Sequence, residues 1–276
     1  MKLLKFFFNL KYLPILLIYI LCVFIFSENE LVSDRLRYWL FSENLLNGYY
    51  FDSGNTLWNG PGYPIYIAFL RLFGFGWELI VYSNAILLYI SILLFDKIIA
   101  RFQKRPTLIV YLFAFWEPVL LYQYLPHLMT EVFVILLMAL FVYIHLSKIK
   151  YKNIYLGLVL GLLILTKVVF FYVVVSMLAL SFIIGRFREQ KYYLTLFYSI
   201  IFCIPYLIYT YGLTGKYFYF SNSGGSSLYW MSVPDDVYRG DWNGGYGYYQ
   251  ESPNLASNSY NKYLKDNSWP IYEKID

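Results

Sequence analysis

The 276-residue chain is 59% hydrophobic, 23% aromatic and only 14% charged, where soluble domains average about 25% charged. That balance excludes an ordinary soluble domain and predicts an all-α polytopic membrane protein. The net charge of +5 does not indicate nucleic acid, because Lys and Arg stand beside apolar runs and not in one continuous patch.

In chain order, Lys2, Lys5 and Lys11 precede and enter an apolar run from Leu10 to Phe26. It resembles a signal peptide, but Cys22 to Ser27 offers no small-residue cleavage site and further apolar runs follow, so an uncleaved first helix is expected. Next comes Ser33-Asp34-Arg35-Leu36-Arg37-Tyr38. Ser33 is expected to cap a short helix that turns Leu36, Trp39, Leu40 and Leu45 toward lipid, with Asp34 in its first turn. Tyr63 to Phe75 is apolar but only 13 residues long, about 20 Å as a helix, too short for a hydrocarbon core of about 30 Å. Arg71 within it and Trp58 and Trp77 at its flanks suit a helix lying at headgroup level.

Further candidate spans are Ile80 to Ile99, Thr107 to Tyr124, Val132 to Leu146, Asn153 to Leu165, Val168 to Ile184 and Tyr193 to Tyr211. With the first, these make about seven transmembrane helices. Asn153 to Ile184 as one helix would reach about 48 Å, so it is expected to break near Thr166 and Lys167. Residues 1–211 thus form the membrane module, with an external loop over 27–79. Residues 212–276, rich in Tyr, Gly, Asn and Ser, are expected to form a small external segment with Gly224-Gly225 and Gly244-Gly245 as tight turns. Cys22 and Cys203 fall in apolar runs and read as small buried hydrophobes.

Charge sorts with this arrangement. Four clusters, Lys2/Lys5/Lys11, Lys97/Arg101/Lys104/Arg105, Lys148/Lys150/Lys152 and Arg186/Arg188/Lys191, hold thirteen of the 22 basic residues against two acids, Asp96 and Glu189. They mark the cytoplasmic side, leaving nine basic residues and fourteen acids outside and Glu117 within a span. The N-terminus is therefore expected in the cytoplasm.

The external face carries the candidate chemistry. Asp34 reads either as a general base or as a helix-start acid paired with Arg35 or Arg37. Glu131, after Pro126-His127-Leu128-Met129-Thr130, reads as a second acid or as a helix cap. Lys167 at the hairpin turn reads as a contact to a lipid phosphate or as a snorkelling side chain. Glu117, before Pro118, is an intramembrane acid that either has a function or serves local helix structure. A divalent cation is compatible with these acids, but one His without ligand spacing assigns no metal, and no cofactor is committed. Walker, dinucleotide and nucleophile-elbow motifs are absent from the sequence.

Several short motifs occur in a meaningful order. Asp34-x-x-x-Tyr38, Leu46-Asn47-Gly48-Tyr49, Asn59-Gly60-Pro61-Gly62-Tyr63-Pro64 and Leu72-Phe73-Gly74 resemble the first external loop of superfamily C glycosyltransferases. These multi-pass enzymes take sugars from polyprenyl phosphate carriers; family 39 and the aminoarabinose transferases belong to them. Leu128-Met129-Thr130-Glu131, Gly157-x-x-x-Gly161-Leu162-x-x-Leu165-Thr166-Lys167 and Asn222-Ser223-Gly224-Gly225-Ser226-Ser227-Leu228-Tyr229 are similar to later motifs of the same superfamily.

The resemblance implies a membrane glycosyltransferase. It would have Asp34 and Glu131 as catalytic acids, and Arg35, Arg37, Tyr38, Tyr63, Lys167 and Asn222 as substrate contacts. The implied partners are a polyprenyl-phosphate-linked sugar, a glycan, lipid or protein acceptor, and membrane lipids. Two departures stand against it. Tyr209-Thr210 replaces the family's Arg-Asn, and members continue into further membrane helices, which leaves an inactive truncated transferase as an alternative. A non-catalytic lipid-carrier flippase or scaffold is the other.

Overall fold

The computed structural model describes residues 10–51, 57, 59–183 and 192–221. All regular structure among them is helical. Asn222, the glycine pairs of the tail, Trp58, Lys2, Lys5 and the Arg186/Arg188/Lys191 cluster lie outside the described residues. The chain divides into two compact units, residues 1–50 with 60–205 and residues 51–59 with 206–276.

The first unit begins with α1 (Leu13–Phe26), started by Pro14 in the first turn, where a missing amide hydrogen costs nothing. It is apolar all round. Ile15, Tyr19 and Val23 are buried one turn apart, while Leu17, Leu21 and Phe24 stay exposed. α2 (Ser33–Leu46) and α3 (Gly62–Arg71) follow and pack on each other. Ser33 does not cap α2 as expected. Val32 holds the cap position without a side-chain bond, and Ser33 itself has φ of 55°, a left-handed conformation that denies its hydroxyl the extended N-cap geometry. α2 buries Tyr38, Phe41 and Ser42 and leaves Leu36 and Leu40 exposed. α3, ten residues long, reaches about 15 Å, far short of a membrane crossing.

α4 (Trp77–Ile99) is the central helix, packed against α1 and α6. The expected span over Thr107 to Tyr124 is not one helix. α5 (Thr107–Ala114) stops, and after a break a π-helical turn runs over Leu120–Tyr124. Pro118 supplies the reason: it has no amide hydrogen, and its ring disfavours helical geometry at Glu117. Glu117 serves the break directly, its Oε1 accepting the Val119 amide at 3.2 Å.

α6 (Thr130–Leu146) and α7 (Lys152–Thr166) pack together. α7 ends with Lys167 in extended backbone, and α8 (Val169–Ile183) begins two residues later, so the break falls where helix length requires it. α9 (Tyr192–Thr214) resumes the described chain. Gly157 and Gly161 let it approach α7: a Cβ at Gly161 would lie 2.7 Å from the Phe202 ring and 3.0 Å from the Ser199 carbonyl. α4 and α9, each 23 residues, are long and apolar enough to cross a membrane.

The two ends of α4 differ in chemistry. Near its C-terminal end Tyr12 donates to Asp96 at 2.6 Å, Tyr111 donates to the Lys11 carbonyl at 2.7 Å, and Arg101 donates to the Leu146 carbonyl and, at 3.2 Å, to Ser147. Lys152 donates to the His145 carbonyl at 3.2 Å. Residues of three basic clusters therefore meet at one end of the bundle. Near the N-terminal end, Asn84 donates to the Leu125 and His127 carbonyls at 3.2 and 2.7 Å and holds the loop that leads to Glu131.

In the second unit, Tyr209 lies on the Phe51 backbone: its hydroxyl donates to the carbonyl and accepts from the amide, both at 2.9 Å. Tyr206 donates to the Phe220 carbonyl at 2.8 Å.

Candidate functional site

The loop before α6 is stapled at both ends by polar side chains, which fixes the start of that helix. His127 is 6% exposed. Its Nδ1 donates to the Gln123 carbonyl at 2.6 Å, so Nε2 is the unprotonated nitrogen of the neutral ring, 3.5 Å from Glu28 Oε1. Glu28 is in turn gripped by Arg35 at 2.6 and 3.3 Å. That guanidinium holds the Glu28 carboxyl below the usual carboxylate range, while burial, ahead of every other influence, pushes His127 below the usual imidazole value.

Glu131 stands in the first turn of α6, where the helix dipole favours a negative charge. Its Oε1 accepts a hydrogen bond from Lys167 Nζ at 2.8 Å, and Thr130 Oγ1 lies 3.4 Å from Oε2. Lys167, read from the sequence as a lipid-phosphate contact or a snorkelling side chain, is therefore paired with Glu131. Its position comes from the glycines of Asn59-Gly60-Pro61-Gly62: a Cβ at Gly60 would strike the Leu165 carbonyl and one at Gly62 would strike Thr166. Only glycine lets the start of α3 press on the end of α7 directly beside Lys167.

Asp34 forms an i,i+3 pair with Arg37 at 2.9 Å, and Arg35 is committed to Glu28. Tyr38, buried between α2 and its neighbours, has its phenol pushed well above the usual range, first by burial and then by the charges of Asp34 and Glu131, against an opposing hydrogen bond from Thr130. Tyr38 meets Tyr63 edge to face, ring centroids 5.3 Å apart, and Tyr63 packs on Phe133 of α6 at 5.8 Å. Of these two tyrosines, both expected as substrate contacts, Tyr38 is 7% exposed and Tyr63 fully buried. Arg71 lies 3.8 Å from the Trp39 ring and donates to the Trp39 carbonyl and Ser42, clasping α2 to α3.

Glu131 and Lys167 also line a cavity of about 460 Å³. Glu117 is its third charged group, and Leu88, Ile92, Phe113, Leu120, Val134 and Ile135 make its walls largely apolar. The break between α5 and the π-turn is what brings Glu117 there. Among the described residues no cluster of His, Cys, Asp and Glu has the make-up of a metal site. Sequence reasoning missed the Glu28 and His127 contact, and the sole signal for it was two polar residues beside apolar helices in different loops.

No family model, no curated protein and no solved structure matches this chain. Among the described residues, the fold defines an all-helical arrangement in which two helices have the length and composition of membrane spans.

Proposed function

We propose that the chain is a multi-pass membrane glycosyltransferase that moves a sugar from a polyprenyl phosphate carrier to an acceptor hydroxyl at the extracytoplasmic face. The observation that carries the reading is the cavity: largely apolar walls meet a lysine and two carboxylates, Lys167, Glu131 and Glu117, which suits an apolar chain bearing a phosphate and a hydroxylated headgroup. Shorter apolar helices, Leu13–Phe26, Thr130–Leu146 and Lys152–Thr166, join the two long ones as further spans. Exposed Leu17, Leu21, Phe24 and Leu108 support this, since such surface in water favours aggregation. The meeting of three basic clusters at one end supports a cytoplasmic assignment for that end. The acids then face outward, where nucleotide sugars are absent and a lipid-borne donor is needed.

In the proposed reaction a carboxylate takes the acceptor proton as the hydroxyl attacks the anomeric carbon, and the phosphate leaves from the opposite face beside a cation. Asp34, which is paired with Arg37 and does not line the cavity, takes the role of base from the sequence resemblance, while Glu131 positions the hydroxyl and Lys167 receives the phosphate. Glycan, lipid and protein acceptors all present such a hydroxyl.

The test is transfer from a radiolabelled isoprenyl-phosphate hexose into envelope material by membranes containing the protein. Asp34→Asn is expected to lower transfer about 100-fold or more with membrane insertion intact; full activity in that variant would remove Asp34 from the role. One observation favours a second reading, a lipid-carrier flippase: the interrupted helix over 107–124 with Glu117 at its break is the discontinuous geometry transporters use. Movement of a fluorescent isoprenyl phosphate across vesicles, without sugar transfer, would select it.

A further inference from the structure

We infer that the Glu131–Lys167 ion pair is a latch, closed in this structure, which the anionic headgroup of a bound isoprenyl lipid opens by taking the lysine from the carboxylate. This rests on the proposed lipid-phosphate site and adds how that site is regulated. Lys167 Nζ is 2.8 Å from Glu131 Oε1, so the site's lysine is already neutralised before any ligand arrives. The Lys167 and Glu131 side chains are 39% and 25% exposed, open enough for exchange of partners. A pair at this exposure is held by only a small free energy, whereas a phosphate offers more charge and three acceptor oxygens.

The surroundings give each partner somewhere to go. Lys167 occupies the extended residue that ends α7, and its flexible stem carries a point charge that can turn to a new acceptor. Glu131, once released, keeps the Thr130 hydroxyl near its second oxygen. Opening the latch thus presents Glu131 as a free acceptor only when the donor's headgroup is seated. Free phosphate lacks the apolar chain that the cavity walls bury, so it opens the latch far less readily.

The experiment is equilibrium binding of unglycosylated farnesyl phosphate to the full chain in detergent, read by intrinsic tryptophan fluorescence, with farnesol and inorganic phosphate as separate arms. Glu131→Gln removes the competing carboxylate and is expected to tighten farnesyl phosphate about three- to fivefold, the scale of a half-exposed pair. Lys167→Met is expected to weaken it about tenfold, and the double variant to follow Lys167→Met. Should Glu131→Gln fail to fold, Glu131→Ala, which also removes the carboxylate, carries the same expected sign. Weaker or unchanged binding in the Glu131 variants overturns the latch, as does farnesol binding as well as farnesyl phosphate, inorganic phosphate binding as well as either, or no binding at all. Because no sugar is transferred, the latch and the transferase reading fail separately: opposite signs in the two variants uphold the latch whatever the transfer assay returns.

Discussion

Glu28 and His127 show how single side chains set a pH dependence. His127 is held below its ordinary value mainly by burial, so the unfolded chain binds its proton first as pH falls. The stability linked to it is complete above the unfolded imidazole value, about 6.5, and is lost as pH drops toward the lower folded value. Glu28, lowered chiefly by Arg35, adds a second loss below about 4.5, as pH falls through its folded value. Thermal unfolding in detergent is expected to show a lower Tm at pH 5.5 than at pH 7.5, and His127→Asn to flatten that difference; an equal fall in the variant would assign the effect elsewhere. Gly60→Ala is the second prediction at this scale. Its methyl group meets a backbone carbonyl of α7, which cannot swing aside like a side chain, so a loss of about 1–3 kcal/mol is expected in equilibrium unfolding. The candidate acids were legible singly, because Asp34 and Glu131 open helices beside apolar runs. Their partners were not: the link of Lys167 to Glu131 crosses 36 residues, and no spacing rule reaches that far.

Elements were largely legible because each apolar run exceeds what a loop tolerates and ends at charge, Gly or Pro. α4 begins at Trp77 and ends at Ile99, close to the expected Ile80 to Ile99, and the break at Lys167 followed from helix length together with the basic flanks on both sides of the run. The Thr107 to Tyr124 run shows where composition misleads. It is continuous in hydropathy, yet Pro118 interrupts its hydrogen bonding, and the chain answers with a π-turn. Pro118→Ala restores the missing amide and is expected to raise helicity in circular dichroism; unchanged helicity would assign the break to another cause. At the α7 and α9 contact, Gly161→Leu forces Phe202 and the Ser199 backbone away. A fall in Tm from about 1–3 kcal/mol of overpacking is the expected result.

For the whole molecule, the proposed sidedness makes the sharpest prediction. Single cysteines at Asn29 or Asn47, both exposed, are expected to react with an impermeant maleimide added outside intact cells, and cysteines at the exposed Lys104 or Lys150 only after permeabilisation. Labelling in the reverse pattern would move the acids to the cytosol and remove the need for a lipid-borne donor. Composition by itself determined the helical class and the sorting of charge along the chain, since both depend only on how apolar and basic residues alternate in order. Tertiary structure alone decided that Lys167 is neutralised by Glu131 and that Glu117 shares their cavity. Those outcomes depend on angstrom-scale approach between distant segments, set by two glycines and a proline whose effect exists only once helices pack.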